Sequence, residues 1–253
     1  MAGDRRPTAG GGHTEDVIPS LLWGLVGAAP LVIGALLAGL RRWPDRLIGV
    51  VLGFGAGALI ASIAFELWEE GLEIGGPIPL ALGVALGAAV YFTADRLVER
   101  WAARAGGGAA AGVPLALGAL LDGVPEQLVL GFGLAAGGGV SVALVVAIFV
   151  SNLPESVGSS ADLLEGGVSR GRVVLLWAAV AAVCALATVA GWALADVATP
   201  GMRAGLSGFA AGALLVMLVD SMIPEAQRRA KDVAGIATVL GFALAAGLST
   251  VGG

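Results

Sequence analysis

The sequence predicts an all-α, polytopic membrane protein with eight transmembrane helices, and three observations carry that reading. First, 57% of the 253 residues are hydrophobic and only 13% charged, with a mean hydropathy of +0.92, against roughly 25% charged residues in a soluble domain. Second, the apolar residues fall into separate segments, each about the roughly 20 residues a helix needs to cross a bilayer. Third, the arginines and lysine alternate between the connections in the manner of a multi-pass chain.

The segments run over 20–40, 47–68, 77–98, 113–135, 140–163, 172–195, 202–225 and 233–251. Residues 1–19, with Asp4, His13, Glu15 and Asp16, read as a short polar tail, unlike a signal or transit peptide. Residues 20–253 then form one membrane domain, because the connections are too short for a soluble one. Proline and glycine mark the turns at "RRWPDR" (41–46), "GPIP" (76–79) and "ARAGGGAAAG" (103–112). Small residues recur inside the spans, as "GFGAG" (53–57), "GVALG" (83–87) and "GFAAG" (208–212); these let helices approach closely in lipid. The single Cys184 lies within span six, so no disulfide framework exists.

Of the 14 basic residues, all but Arg5, Arg6 and Arg203 follow spans one, three, five and seven. By the positive-inside rule that side is cytoplasmic and both termini face outward; the expected location is the plasma membrane.

Against this apolar background, polar residues within the spans require an explanation. "DGVPEQ" (122–127) in span four, "SNLPES" (151–156) in span five and "DSMIPEA" (220–226) in span seven each contain Pro-Glu. Residues four apart share a helix face, so Asp122 with Glu126, and Ser151 with Glu155, make two polar faces. Each proline also removes a backbone donor, freeing the carbonyls of Leu121 and Val150. A charge at mid-bilayer costs roughly 2.5–3.5 kcal/mol on insertion scales, and intramembrane acids are functional by default. A carboxylate at a kink with a freed carbonyl is the outline of a cation site. Neutral glutamates that only staple two helices together are the alternative, which two matched motifs at one depth disfavour. Further acids follow the same route: Glu66, Glu69, Glu70 and Glu73 at one end, and Asp162, Glu165, Asp220 and Glu225 toward the other. A charge run at a helix end is as readily a solvated cap, but Asp220 lies within span seven.

This pattern resembles the ZIP (Zrt/Irt-like) metal transporters, which have eight spans, both termini outside, a His-Asn-x-Pro-Glu-Gly motif in the fourth span and a His/Gln-x-x-Pro-Glu motif in the fifth. "LVDSMIPEA" (218–226) is similar to that family's Leu-Val-Asp-x-x-Pro-Glu seventh span. The resemblance implies a ZIP-like inverted-repeat bundle that moves divalent cations by alternating access through a midplane site on spans four and five. It makes Glu126 and Glu155 bridging ligands, puts Asp122 and Ser151 where the family has its leading ligands, and keeps Asn152 as an oxygen donor. Glu66, Asp220 and Glu225 then belong to the transport path. Zinc is the family's default cargo, with manganese, iron and other divalent ions as alternatives. Here Asp122 and Ser151 leave an all-oxygen shell without imidazole, which suits harder ions. The metal is a transported substrate; no cofactor, nucleic-acid partner or enzymatic activity is expected, and a homodimer is left open. The rival reading is a proton-coupled carrier of another small substrate, which would also use paired intramembrane acids.

Overall fold

The structure is a computed structural model that describes residues 12–41, 43–105, 112–135, 142–195 and 197–252; for 12–16, 101–105, 112–116, 122, 143 and 251–252 it describes the backbone alone. Among the described residues it is all-helical, with α1 Gly12–Leu40, α2 Asp45–Gly75, α3 Pro77–Ala105, α4 Gly112–Ala135, α5 Val142–Glu165, α6 Arg170–Ala195, α7 Pro200–Ala230 and α8 Val233–Gly252. All eight are long and apolar enough to span a bilayer, and the chain is a multi-pass membrane protein. α1 begins at Gly12 and so takes in residues expected in the polar tail, its apolar part starting at Val17.

Local chemistry sets the breaks. Pro44 precedes α2 in extended conformation, and Asp45 places a negative charge in its first turn. Between α2 and α3, Gly76 adopts φ 81°, and Pro77 then opens the next helix. α5 ends in a Schellman turn: Val168 N–H bonds the Leu163 carbonyl at 3.0 Å and Gly167 N–H bonds that of Leu164 at 3.1 Å, with Gly167 at φ 86°. Thr199 caps α7 by accepting from Met202 N–H at 3.3 Å, with Pro200 at the first helical position.

Two helices are irregular within their length. α2 widens into a π-helical stretch over Ile63–Glu69, and α7 does the same over Leu218–Met222. Such turns are rare and are often found at functional sites.

α2, α5, α4 and α7 form the inner bundle, with 67%, 61%, 53% and 50% of their apolar windows buried, whereas α3 and α8 keep only 22% buried and sit at the periphery. α3 packs along α7 as α8 packs along α2; α4 packs on α6 as α5 packs on α1; α1 and α6 also pair with each other. The first two seams agree residue by residue. A Cβ on Gly53 or Gly57 of α2 would meet the carbonyls of Ala234 or Thr238 on α8, and one on Gly208 or Gly212 of α7 would meet those of Leu80 or Val84 on α3. Reciprocally, Gly241 of α8 faces the Phe54 carbonyl and Gly87 of α3 faces that of Phe209. A constant shift of 155 residues carries α2 onto α7 in these contacts, and 154 carries α3 onto α8. Both π-helical stretches begin at matching positions, Ile63 and Leu218.

Candidate cation pathway

α4 and α5 both remain helical through their prolines, Pro125 and Pro154, and the residue after each Pro-Glu fixes its helix to α1. Gln127, fully buried, donates from Nε2 to the Gly24 carbonyl at 3.4 Å and accepts from the Thr188 hydroxyl of α6 at 2.5 Å. The Ser156 hydroxyl lies within donor reach of the Pro30 carbonyl at 3.1 Å and of Leu153 in its own helix at 3.0 Å. α1 has a glycine opposite each pin, Gly27 against the Gln127 amide and Gly34 against the Ser156 hydroxyl. A side chain at either place would push the motif helix away.

The motif residues are buried among these pins. Glu126 is 1% exposed, Ser151 2% and Asn152 5%. The Ser151 hydroxyl donates to the Ile148 carbonyl at 3.1 Å within α5. Beside it, the Val150 carbonyl that Pro154 frees faces α2 at Gly55, where a Cβ would come within 3.1 Å of the oxygen. The side chain of Asp122 lies outside the described residues.

A cavity of about 810 Å³ runs from Pro154 and Glu155 of α5 to the arginines at the end of α7. Beside Pro154 and Glu155 it is lined by Asp95 and Glu99 of α3, Asp162 of α5, and Asp220, Ser221 and Glu225 of α7. Arg228 and Arg229 stand at the end of α7 and both pair with Glu225; Arg229 also reaches Asp45 of α2 at 2.8 Å. Six carboxylates against two guanidiniums leave the lining strongly acidic even after those pairs form. Such a concave acidic surface focuses its field and concentrates cations.

The structure therefore brings three of the expected path and site residues, Glu155, Asp220 and Glu225, to one cavity. Glu126, Ser151 and Asn152 lie in the bundle and do not line it. Glu66 is elsewhere: about 30 Å along α2 from Asp45 at a helical rise of 1.5 Å per residue, it accepts a hydrogen bond from Ser249 of α8 at 2.7 Å. Among the described residues no group of three or more His, Cys, Asp or Glu side chains is gathered closely enough to hold a metal ion.

Sequence reasoning assigned no role to Asp95, just before the Arg96–Arg104 charge cluster, or to Glu99, within it, because both look like helix-end residues. The signal was their spacing. Tyr91, Asp95 and Glu99 recur every four residues and line the cavity together, as one face of a helix must. Gln127 and Thr188 were equally legible as intramembrane polar residues, but their contact joins α4 to α6 across 61 residues of chain.

No protein-family model matches the chain, and no curated protein matches it.

Proposed function

We propose that this protein carries divalent metal cations across the plasma membrane by alternating access, with the transport site at the Pro-Glu motifs of α4 and α5. The observation that carries the proposal is the acidic cavity whose lining includes Pro154 and Glu155. An intramembrane acid next to a helix proline, on a cavity lined by further acids, is suited to a cation and unsuited to an anion.

Glu155 passes the ion on to the cavity, and Glu126, one helix over in the matching motif, completes the site with Asn152, Ser151 and Asp122. Asp220 and Glu225 line the route between that site and the arginine-rich end. By the positive-inside rule this end is cytoplasmic, both termini are outside, and the structure corresponds to an inward-open state. The matched α2–α8 and α7–α3 seams support an inverted-repeat bundle, since helices five apart in an alternating chain cross the membrane in opposite senses. This agrees with the ZIP-like architecture that the sequence motifs imply.

Uptake by the purified chain in liposomes, across zinc, manganese, iron, magnesium and calcium, tests the proposal. Glu155→Gln should lose uptake by more than tenfold while the folded bundle persists or gains stability, because a half-buried charge is removed without a change of shape. Parent liposomes that accumulate none of these ions, or a Glu155→Gln protein with parental uptake, would overturn it. Proton flux without metal flux would establish the proton-coupled carrier instead.

A further inference from the structure

The α2–α8 seam holds one polar contact whose counterpart in the α7–α3 seam is open. At one end of the molecule Ser249 of α8 donates to Glu66 of α2 at 2.7 Å. The shift of 155 residues takes Glu66 to Ser221, and the shift of 154 takes Asp95 to Ser249. The hydroxyl and the carboxylate have changed helices, but the pair is the same.

Both α2 and α7 members stand on the π-helical stretches, Glu66 within Ile63–Glu69 and Ser221 within Leu218–Met222. A turn with i→i+5 bonds packs the backbone less well than an α-turn and is a natural place for a helix to bend. Asp95 and Ser221 face the acidic cavity, and among the described residues no hydrogen bond joins them. So the Glu66 end is closed where the Asp95 end is open, at equivalent positions of two equivalent seams.

We infer that Glu66–Ser249 and Asp95–Ser221 are reciprocal latches: bending at the two wide turns breaks the first as it forms the second, closing the cavity over Glu155. The inference rests on the alternating-access reading above. It assigns Ser221, Ser249, Asp95 and Glu66 to gating, apart from any role in holding the ion. The Glu66 pair stabilises the state in which the cavity is open, and the Asp95 pair stabilises the state in which it is shut.

The test uses the full chain in liposomes with Cys184→Ala, so that every thiol is introduced. Glu66→Cys with Ser249→Cys and Asp95→Cys with Ser221→Cys are each oxidised and scored by mass spectrometry, and then combined in one four-cysteine chain. Each pair should cross-link alone and arrest uptake reversibly on reduction, while in the combined chain no molecule should carry both bonds. Independently, Ser249→Ala should lower, and Ser221→Ala should raise, the open-to-shut ratio read by labelling of a Ser159→Cys reporter in the cavity, each by about fivefold, the shift in equilibrium constant that one net hydrogen bond supports. Molecules carrying both cross-links, or an Asp95/Ser221 pair that never cross-links while reporter labelling ignores both serines, would overturn the latches even if metal uptake is robust. Exclusive cross-links in a chain that moves no metal would leave the latches standing and remove the cargo.

Discussion

The hydroxyl of Thr188 in α6 donates to Gln127 Oε1 in α4 at 2.5 Å, with both side chains fully buried and the Gln127 amide reaching on to Gly24 of α1. Three helices thus meet at the residue that follows Glu126. In a hydrocarbon environment an amide oxygen deprived of its donor has no water to turn to. Thr188→Val keeps the shape and removes the donor, so it should destabilise the bundle by about 1–3 kcal/mol. Thermal unfolding in detergent reads this directly, and an unchanged midpoint would mean that the contact is dispensable.

The small-residue seams make a sharper steric prediction. A Cβ on Gly57 would overlap the Thr238 carbonyl and one on Gly212 that of Val84, backbone atoms that cannot swing aside. Either Gly→Ala change should therefore separate its helix pair and cost at least about 2 kcal/mol, as overpacking of a well-filled contact does. Gly247 has nothing within 4 Å of a Cβ, so Gly247→Ala should be neutral or stabilise by up to about 1 kcal/mol through helix propensity. Equal effects at Gly57 and Gly247, measured by thermal unfolding, would contradict the seam.

These cases also show what the sequence could and could not reveal. Span positions were legible because hydropathy is local: the expected 172–195 falls within two residues of α6, and 77–98 starts with α3, which runs on to Ala105. Pro-Glu motifs stood out for the same reason, as polar residues in an apolar run. The cavity was not legible, because Asp95 and Asp220 meet only once α3 packs on α7, more than a hundred residues apart in the chain. Nor was the residue-by-residue match of the α2–α8 and α7–α3 seams, although "GFGAG" and "GFAAG" were visible as small-residue runs; the match emerges when each is seen against the carbonyls of a partner helix.

Asp220 tests the inner route. It lies on the cavity wall among other carboxylates, on the π-helical turn of α7. Asp220→Asn should leave binding at the Pro-Glu motifs intact but slow exit of the ion, lowering the maximal uptake rate several-fold with a smaller effect on half-saturation. A rate indistinguishable from the parent at every substrate concentration would leave Asp220 outside the path.

Selectivity is the most discriminating consequence of the proposed ligand set. Glu126, Glu155, Asn152, Ser151 and Asp122 offer oxygen alone, and the described bundle contains no imidazole among its buried polar residues. Zinc favours nitrogen and sulfur in tight tetrahedral sites, whereas carboxylate, amide and carbonyl oxygen suit manganese or magnesium. The parent should therefore transport manganese at least as well as zinc in competition. Asp122→His introduces a nitrogen ligand one helical turn before Glu126, where the ZIP motif has its histidine, and should shift the zinc-to-manganese preference upward by about tenfold, the equivalent of about 1.4 kcal/mol in differential binding. Competition uptake with both ions measures this. A parent already strongly selective for zinc would refute the oxygen-shell argument, and a variant with unchanged preference would remove Asp122 from the ligand set while leaving Glu126 and Glu155 to be judged on their own variants.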